Sequence, residues 1–220
     1  MKIAAFVPIK LNNERAPGKN TKRFSDGTPL ITHFLKTLVK VKEIDELYVY
    51  CSNEDIKEYL IPNVQYLKRP EWLDTKEATP QDIIKCFMKQ VDADIYMVCH
   101  CTSPFVKEER FSECIQKVCS KEYDSAFTGE KIQRLMWYNG KPLNFDAENV
   151  PRTQDLPVYY NEVSAAYVFP KETFVTLNRR IGIKPYICEV SGYECVDIDY
   201  PEDFEIANAI YTEIITKKEG

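Results

Sequence analysis

Short apolar runs alternate with segments whose apolar residues recur every three or four positions, and few folds accommodate that pattern. Ile3–Ile9 reads IAAFVPI, a nearly continuous apolar run of the kind a strand shows when buried on both faces. Thr28-Pro29 then predicts a helix start, with a capping hydroxyl and proline at the first helical position, and an apolar face of Leu30, Ile31, Phe34, Leu38 and Val41. Residues 46–52 and 64–68 are further predicted strands, separated by a short helix over 54–60. Thr79-Pro80 repeats the cap-plus-proline start, and Ile83, Ile84, Phe87, Met88 and Val91 form that helix's apolar face. A central strand over 94–101, a helix over 107–119 and strands over 125–128, 163–169, 185–190 and 195–199 follow. A short helix over 171–177 and a last helix opened by Pro201 complete the series. Such alternation implies right-handed βαβ units: an α/β fold of three layers, with a mostly parallel central sheet between helices.

Residues 130–161 break the rhythm. They hold Trp137, several prolines and Asn139-Gly140, a favoured hairpin turn, and read as an inserted arm or lid in one domain spanning 1–220. No run approaches the ~20 apolar residues of a membrane span, and the N-terminus lacks a secretory pattern, so a cytoplasmic location is expected. In that compartment the eight cysteines read as buried small hydrophobes rather than as a disulfide framework. Cys99-His100-Cys101 is a poor metal cluster, because on a strand His100 would face away from the two thiols.

The net charge of −5 argues against nucleic acid as a partner, yet residues 7–24 (VPIKLNNERAPGKNTKRF) hold five bases against one acid. In an open parallel sheet, ligands bind beyond the carboxyl ends of the strands, where this loop lies. It carries neither a dinucleotide fingerprint nor a P-loop, but its lysines, Arg15 and backbone amides suit a polyphosphate. A merely solvated loop is the other reading. Asp197 and Asp199, two apart, would present two carboxylates on one side of a strand while Ile198 packs inward. Adjacent carboxylates are stabilised by a cation, and hard oxygen ligands suit Mg²⁺. Alternatively, Asp199 simply turns the chain before Pro201.

VPIKLNNERAPGKN, GTPLI, YVYCSNEDIKEY, RPEWL, CTSPF, PRTQDLP and DIDYPEDF occur in this order over nearly the whole chain. Together they resemble the acylneuraminate cytidylyltransferases, the CMP-sugar synthetases. The resemblance implies a Rossmann-like nucleotidyltransferase fold with a dimerisation arm, and transfer of CMP from CTP to an acidic sugar with release of pyrophosphate and Mg²⁺ as cofactor. It implies nucleotide-binding roles for Lys10, Asn12, Arg15, Lys19, Asn20, Ser52, Arg69 and Thr79. Lys19, Asp197 and Asp199 would be catalytic, the two aspartates as metal ligands. His100, Thr102, Arg152 and Gln154 would face the sugar, Arg152 as a carboxylate clamp. A homodimer is implied, the arm of each copy reaching its partner's site. Four positions depart from the family pattern. Lys10 stands where arginine is usual, keeping the charge but losing the bidentate fork. Glu14 stands where lysine is usual, His100 where a sugar-contacting glutamine is usual, and Val163 where an asparagine is usual. The acceptor need not therefore be sialic acid; a legionaminic, pseudaminic or octulosonic acid or a phosphonate remains open.

Two readings from other classes compete. A metal-dependent glycosyltransferase also carries an Asp-x-Asp pair, usually near mid-chain with an acceptor domain behind it. A non-catalytic nucleotide-sugar binding module would explain the altered sugar-side positions, but not the retention of both aspartates.

Overall fold

A computed structural model describes residues 1–11 and 16–219, with side chains as far as 217. Its core is a seven-stranded sheet built from β1 (Ile3–Ile9), β2 (Glu46–Cys51), β3 (Gln65–Lys68), β4 (Ile95–Cys99), β5 (Ser125–Ile132), β8 (Tyr159–Pro170) and β9 (Pro185–Val190). The strand order is β3-β2-β1-β4-β8-β5-β9. β8 is antiparallel to both β4 and β5, while the pairs β1–β2, β1–β4, β2–β3 and β5–β9 are parallel. Six strands therefore point their carboxyl ends to one edge.

Alternate residues of β1 divide the core in two. Ile3, Ala5, Val7 and Ile9 pack with α1 (Leu30–Leu38) and α3 (Glu108–Cys119) through Phe34, Leu38, Phe111 and Ile115. Ala4 and Phe6 pack on the opposite face with α2 (Pro80–Met88) and α4 (Lys171–Leu177), and Phe6 stacks on Phe87 at 3.9 Å. This is the expected three-layer, mostly parallel architecture. A third cluster, Phe24, Leu30, Phe105, Ile198, Phe204 and Tyr211, seats α5 (Pro201–Ile210) beside the loops after β1 and β4. A π-helical turn, Tyr211–Ile215, and the short α6 (Thr216–Glu219) follow.

Several expectations need correction. Thr79 caps α2 in a full capping box with Asp82, but Thr28 does not cap α1. Asp26 holds both the Thr28 amide (2.8 Å) and its hydroxyl (2.9 Å), and Pro29 precedes the first helical residue. β4 stops at Cys99, before a turn that begins with His100 and Cys101. No strand forms over 195–199: a 3₁₀ turn, Gly192–Cys195, leads into an extended segment outside the sheet. β5 and β8 run past their expected ends as a two-stranded extension, Gly129 opposite Glu162 and Ile132 opposite Tyr159, which forms the base of the 130–161 segment. At its tip, β6 (Trp137–Tyr138) and β7 (Lys141–Pro142) form the expected hairpin, with positive φ at Asn139 and Gly140.

Candidate nucleotide-transfer site

β1 sends its crossover to one side and β4 lies on the other, so the crevice beyond their carboxyl ends is the switch point of the sheet. Lys19 reaches it from the loop after β1. Gly18 (φ 70°) takes a left-handed conformation there, at the start of the 3₁₀ turn Lys19–Thr21. The mostly buried Lys19 ammonium donates to the Ile198 carbonyl at 2.6 Å and to Asp199 Oδ1 at 3.3 Å. Ile198 is fully buried, and its amide donates to the Thr102 carbonyl at 2.8 Å. With Ile198 pinned, Asp197 is exposed and Asp199 half-buried beside it. The Ser103 hydroxyl approaches Asp197 Oδ1 at 3.5 Å. The extended backbone preserves the side-to-side alternation expected of a strand, although a single ladder-like bond holds it.

Asn20 ties the two loops together. Buried, it donates to the Lys10 carbonyl (3.0 Å) and accepts from the Cys101 thiol (3.4 Å), which burial keeps protonated by pushing its pKa up to about 12. His100 is the next neighbour. Its Nδ1 donates to the Ser164 carbonyl at 2.9 Å, since a carbonyl can only accept, and Nε2 is thereby left as an acceptor. Burial, and then the nearby Arg180 and Lys19 charges, hold its pKa down to about 4, so the ring is neutral near pH 7.

The basic loop does not act as one patch. Lys22 pairs with Glu205 (3.1 Å) and lies over the Phe204 ring, and Arg23 donates to the Gly27 carbonyl (2.7 Å). Asn12 and Arg15, like Glu14, lie outside the described residues.

A second group gathers at the end of β2. Arg69, 2% exposed, pairs with Asp74, which also accepts from the Ser52 hydroxyl. Among the described residues, Arg69 Nε is buried without a hydrogen-bond partner. Ser52 and Asp74 line an open cleft of about 550 Å³ with Asn53, Glu54, Lys68 and Glu71. Asp74 was not singled out from the sequence; its only signal is that a buried arginine needs a carboxylate, and Asp74 is the acid that follows RPEWL.

Three expected residues stand apart. The Thr79 hydroxyl is engaged with Asp82 in the cap. Arg152 is 74% exposed and makes a forked ion pair with Asp155. Gln154 lies exposed on the same turn and offers its carbonyl to Gln133 (3.0 Å). Among the described residues, no hydrogen bond or ion pair joins any of the three to the Lys19–Asp199 cluster.

A family model described as cytidylyltransferase matches residues 4–214. The N-acylneuraminate cytidylyltransferase of Oncorhynchus mykiss is 26% identical over 217 residues, covering 93% of this chain and 49% of that protein. The chain thus spans about half the length of that relative. The CMP-N,N'-diacetyllegionaminic acid synthase of Legionella pneumophila is 24% identical, covering 96% of each chain. The solved structure of a CMP:2-keto-3-deoxy-manno-octonic acid synthetase complexed with CTP shares the fold, with a TM-score of 0.71 at 16% identity, covering 97% of this chain and 99% of that one. A Rossmann-like sheet with its carboxyl-edge loops gathered around Lys19, together with one family model spanning nearly every residue, leads to a single assignment: the chain belongs to the cytidylyltransferase family.

Proposed function

We propose that the chain transfers CMP from CTP to a hydroxyl of an acidic sugar, releasing pyrophosphate. One observation carries the reading: Lys19, from the loop after β1, meets Ile198 and Asp199, 180 residues away, at the switch point of the sheet. The acceptor oxygen attacks the α-phosphorus, its bond to phosphorus forms, and the α–β phosphoanhydride bond breaks. Lys19 neutralises charge on the departing pyrophosphate, and the buried Arg69 holds Asp74, which in turn fixes Ser52 at the nucleotide-side cleft. His100 Nε2 accepts the hydroxyl proton or holds the hydroxyl in line.

Asp197 and Asp199, carboxylates two residues apart at the crevice, would hold a Mg²⁺ ion. Among the described residues, no group of three or more His, Cys, Asp or Glu side chains could hold a metal. Two carboxylates with phosphate oxygens and water completing the shell are what Mg²⁺ favours. When bound, the ion would screen the phosphates and draw charge from the leaving group.

The dimer reading rests on the arm, which exposes Leu135, Trp137, Tyr138, Leu143, Val150 and Val158 together with Arg152 and Gln154. In a homodimer, those two residues would serve the partner's sugar site.

The test is a pyrophosphate-release screen of four nucleoside triphosphates against a panel of ulosonic acids and hydroxyphosphonates, with and without Mg²⁺. Release confined to CTP, a sugar acid and Mg²⁺ is expected. Release from a nucleotide-sugar but not from CTP would favour a glycosyltransferase instead.

A further inference from the structure

Ile198 is pinned from two sides, but neither bond sets the direction of Asp199. The Lys19 ammonium donates at 2.6 Å to the Ile198 carbonyl and only at 3.3 Å to Asp199 Oδ1. A strong charge-assisted bond of this type measures about 2.7–2.9 Å, so the lysine grips the backbone harder than the carboxylate. Asp199 and Tyr200 also lie outside the sheet, where no ladder directs their peptide groups.

Asp203 directs them from the first turn of α5. Its Oδ2 accepts from the Asp199 amide at 2.9 Å and from the Tyr200 amide at 2.7 Å. In return its own amide donates to the Tyr200 carbonyl at 3.2 Å. Pro201 has no N–H and opens the helix, so these are the last two amides before α5. Three separate elements thus hold the run from Ile198 to Tyr200. The loop after β4 acts through the Thr102 carbonyl, the loop after β1 through Lys19, and α5 through Asp203.

The other acids of α5 are placed differently. Glu202 is exposed, and Glu205 pairs with Lys22 at 3.1 Å. Asp203 is half-buried, and its Oδ2 is turned back onto the chain with both lone pairs taken. An oxygen so engaged serves the backbone; it is not a third cation ligand beside Asp197 and Asp199.

We propose that Asp203 is a positioning residue for the transfer reaction: it fixes the backbone of Asp199 so that the Asp199 carboxylate stays beside Lys19 at the crevice, where CTP and its ion would meet it. The inference rests on the cytidylyl-transfer reading. It requires a side-chain oxygen that accepts two amides, and it does not require a charge at residue 203.

The experiment is calorimetry of CTP binding without acceptor, in Mg²⁺ and in EDTA, on the full chain and on Asp203→Asn and Asp203→Ala. Asparagine keeps the accepting oxygen and loses the charge; alanine loses both. The wild type should bind CTP more tightly in Mg²⁺ than in EDTA. Asp203→Ala should lose about tenfold in Mg²⁺, the lower end for a group that orients a metal ligand, and less than about twofold in EDTA. Asp203→Asn should stay within about threefold of the wild type in both, and carries the test alone if Asp203→Ala does not fold. An alanine variant that weakens equally in Mg²⁺ and EDTA, or in neither, overturns the inference, because a simple helix cap would do the same. An asparagine variant that falls as far as alanine also overturns it, because the charge itself would then be needed. A wild type that binds CTP equally in Mg²⁺ and EDTA overturns this inference and leaves the transfer reading standing. A wild type that binds no CTP overturns both.

Discussion

Lys22 and Arg23 follow Lys19 closely in sequence, but their partners separate them in function. Their charges are spent on Glu205, Phe204 and the Gly27 carbonyl, whereas Lys19 turns inward to Asp199. Alanine at either outer position should leave the KM for CTP within about twofold, since exposed pairs of this kind contribute at most ~1 kcal/mol; steady-state kinetics with varied CTP checks this. Composition made the loop's charge legible, but not which base faces the crevice, because that depends on Gly18 and the 3₁₀ turn behind it. His100 carries a second prediction. Its folded pKa of about 4 lies below the ordinary 6.5, so the unfolded chain takes up a proton first as pH falls. Its contribution is present in full above pH 6.5 and is lost as pH falls toward 4. The residue is only half-buried, so on the order of 1–2 kcal/mol is expected, less than the shift would give for a fully enclosed ring. Urea unfolding at pH 7 and pH 4.5 should show His100→Gln losing less stability than the wild type by that amount; equal losses would contradict it.

The segment 196–200 shows how an element can be misread while its consequence survives. Cys-Val-Asp-Ile-Asp predicts a strand over 195–199, and the chain there is extended but outside the sheet, yet both backbones turn alternate side chains to opposite sides. Ile198 supplies the anchoring that a ladder would have given, packed in a cluster with Phe24, Phe105 and Phe204. Ile198→Val should destabilise by about 1 kcal/mol and Ile198→Ala by about 2–4 kcal/mol, measured by urea unfolding. Ile198→Ala should also lower kcat/KM for CTP by more than its stability loss explains, because the aspartates lose their seat. The helix starts divide similarly. Thr79 met no competitor and caps α2, while Asp26 captured Thr28, a local rivalry that a cap-plus-proline pattern cannot rank.

At the scale of the molecule, the layer order was legible because each strand carries apolar residues on both faces and each main helix on one, which leaves little choice but a sheet between helices. The antiparallel β8 was not legible: a buried strand reads the same in either direction, and direction is decided by the arm that brings the chain back. The proposed homodimer predicts a dimer mass for the wild type in size-exclusion chromatography with light scattering and a monomer mass once Trp137 and Tyr138 are replaced by serine; a monomeric wild type or an unchanged mass in the variant would contradict it. The account turns on whether Lys19 and Asp199, joined from opposite ends of the chain, act as one unit on CTP. A double-mutant cycle on kcat/KM for CTP, with Lys19→Met, Asp199→Asn and the pair, tests that most directly. Each single variant should lose on the order of 100-fold, and the double variant scarcely more than the worse single. Losses that multiply, or a single variant within about threefold of wild type, would contradict a shared site.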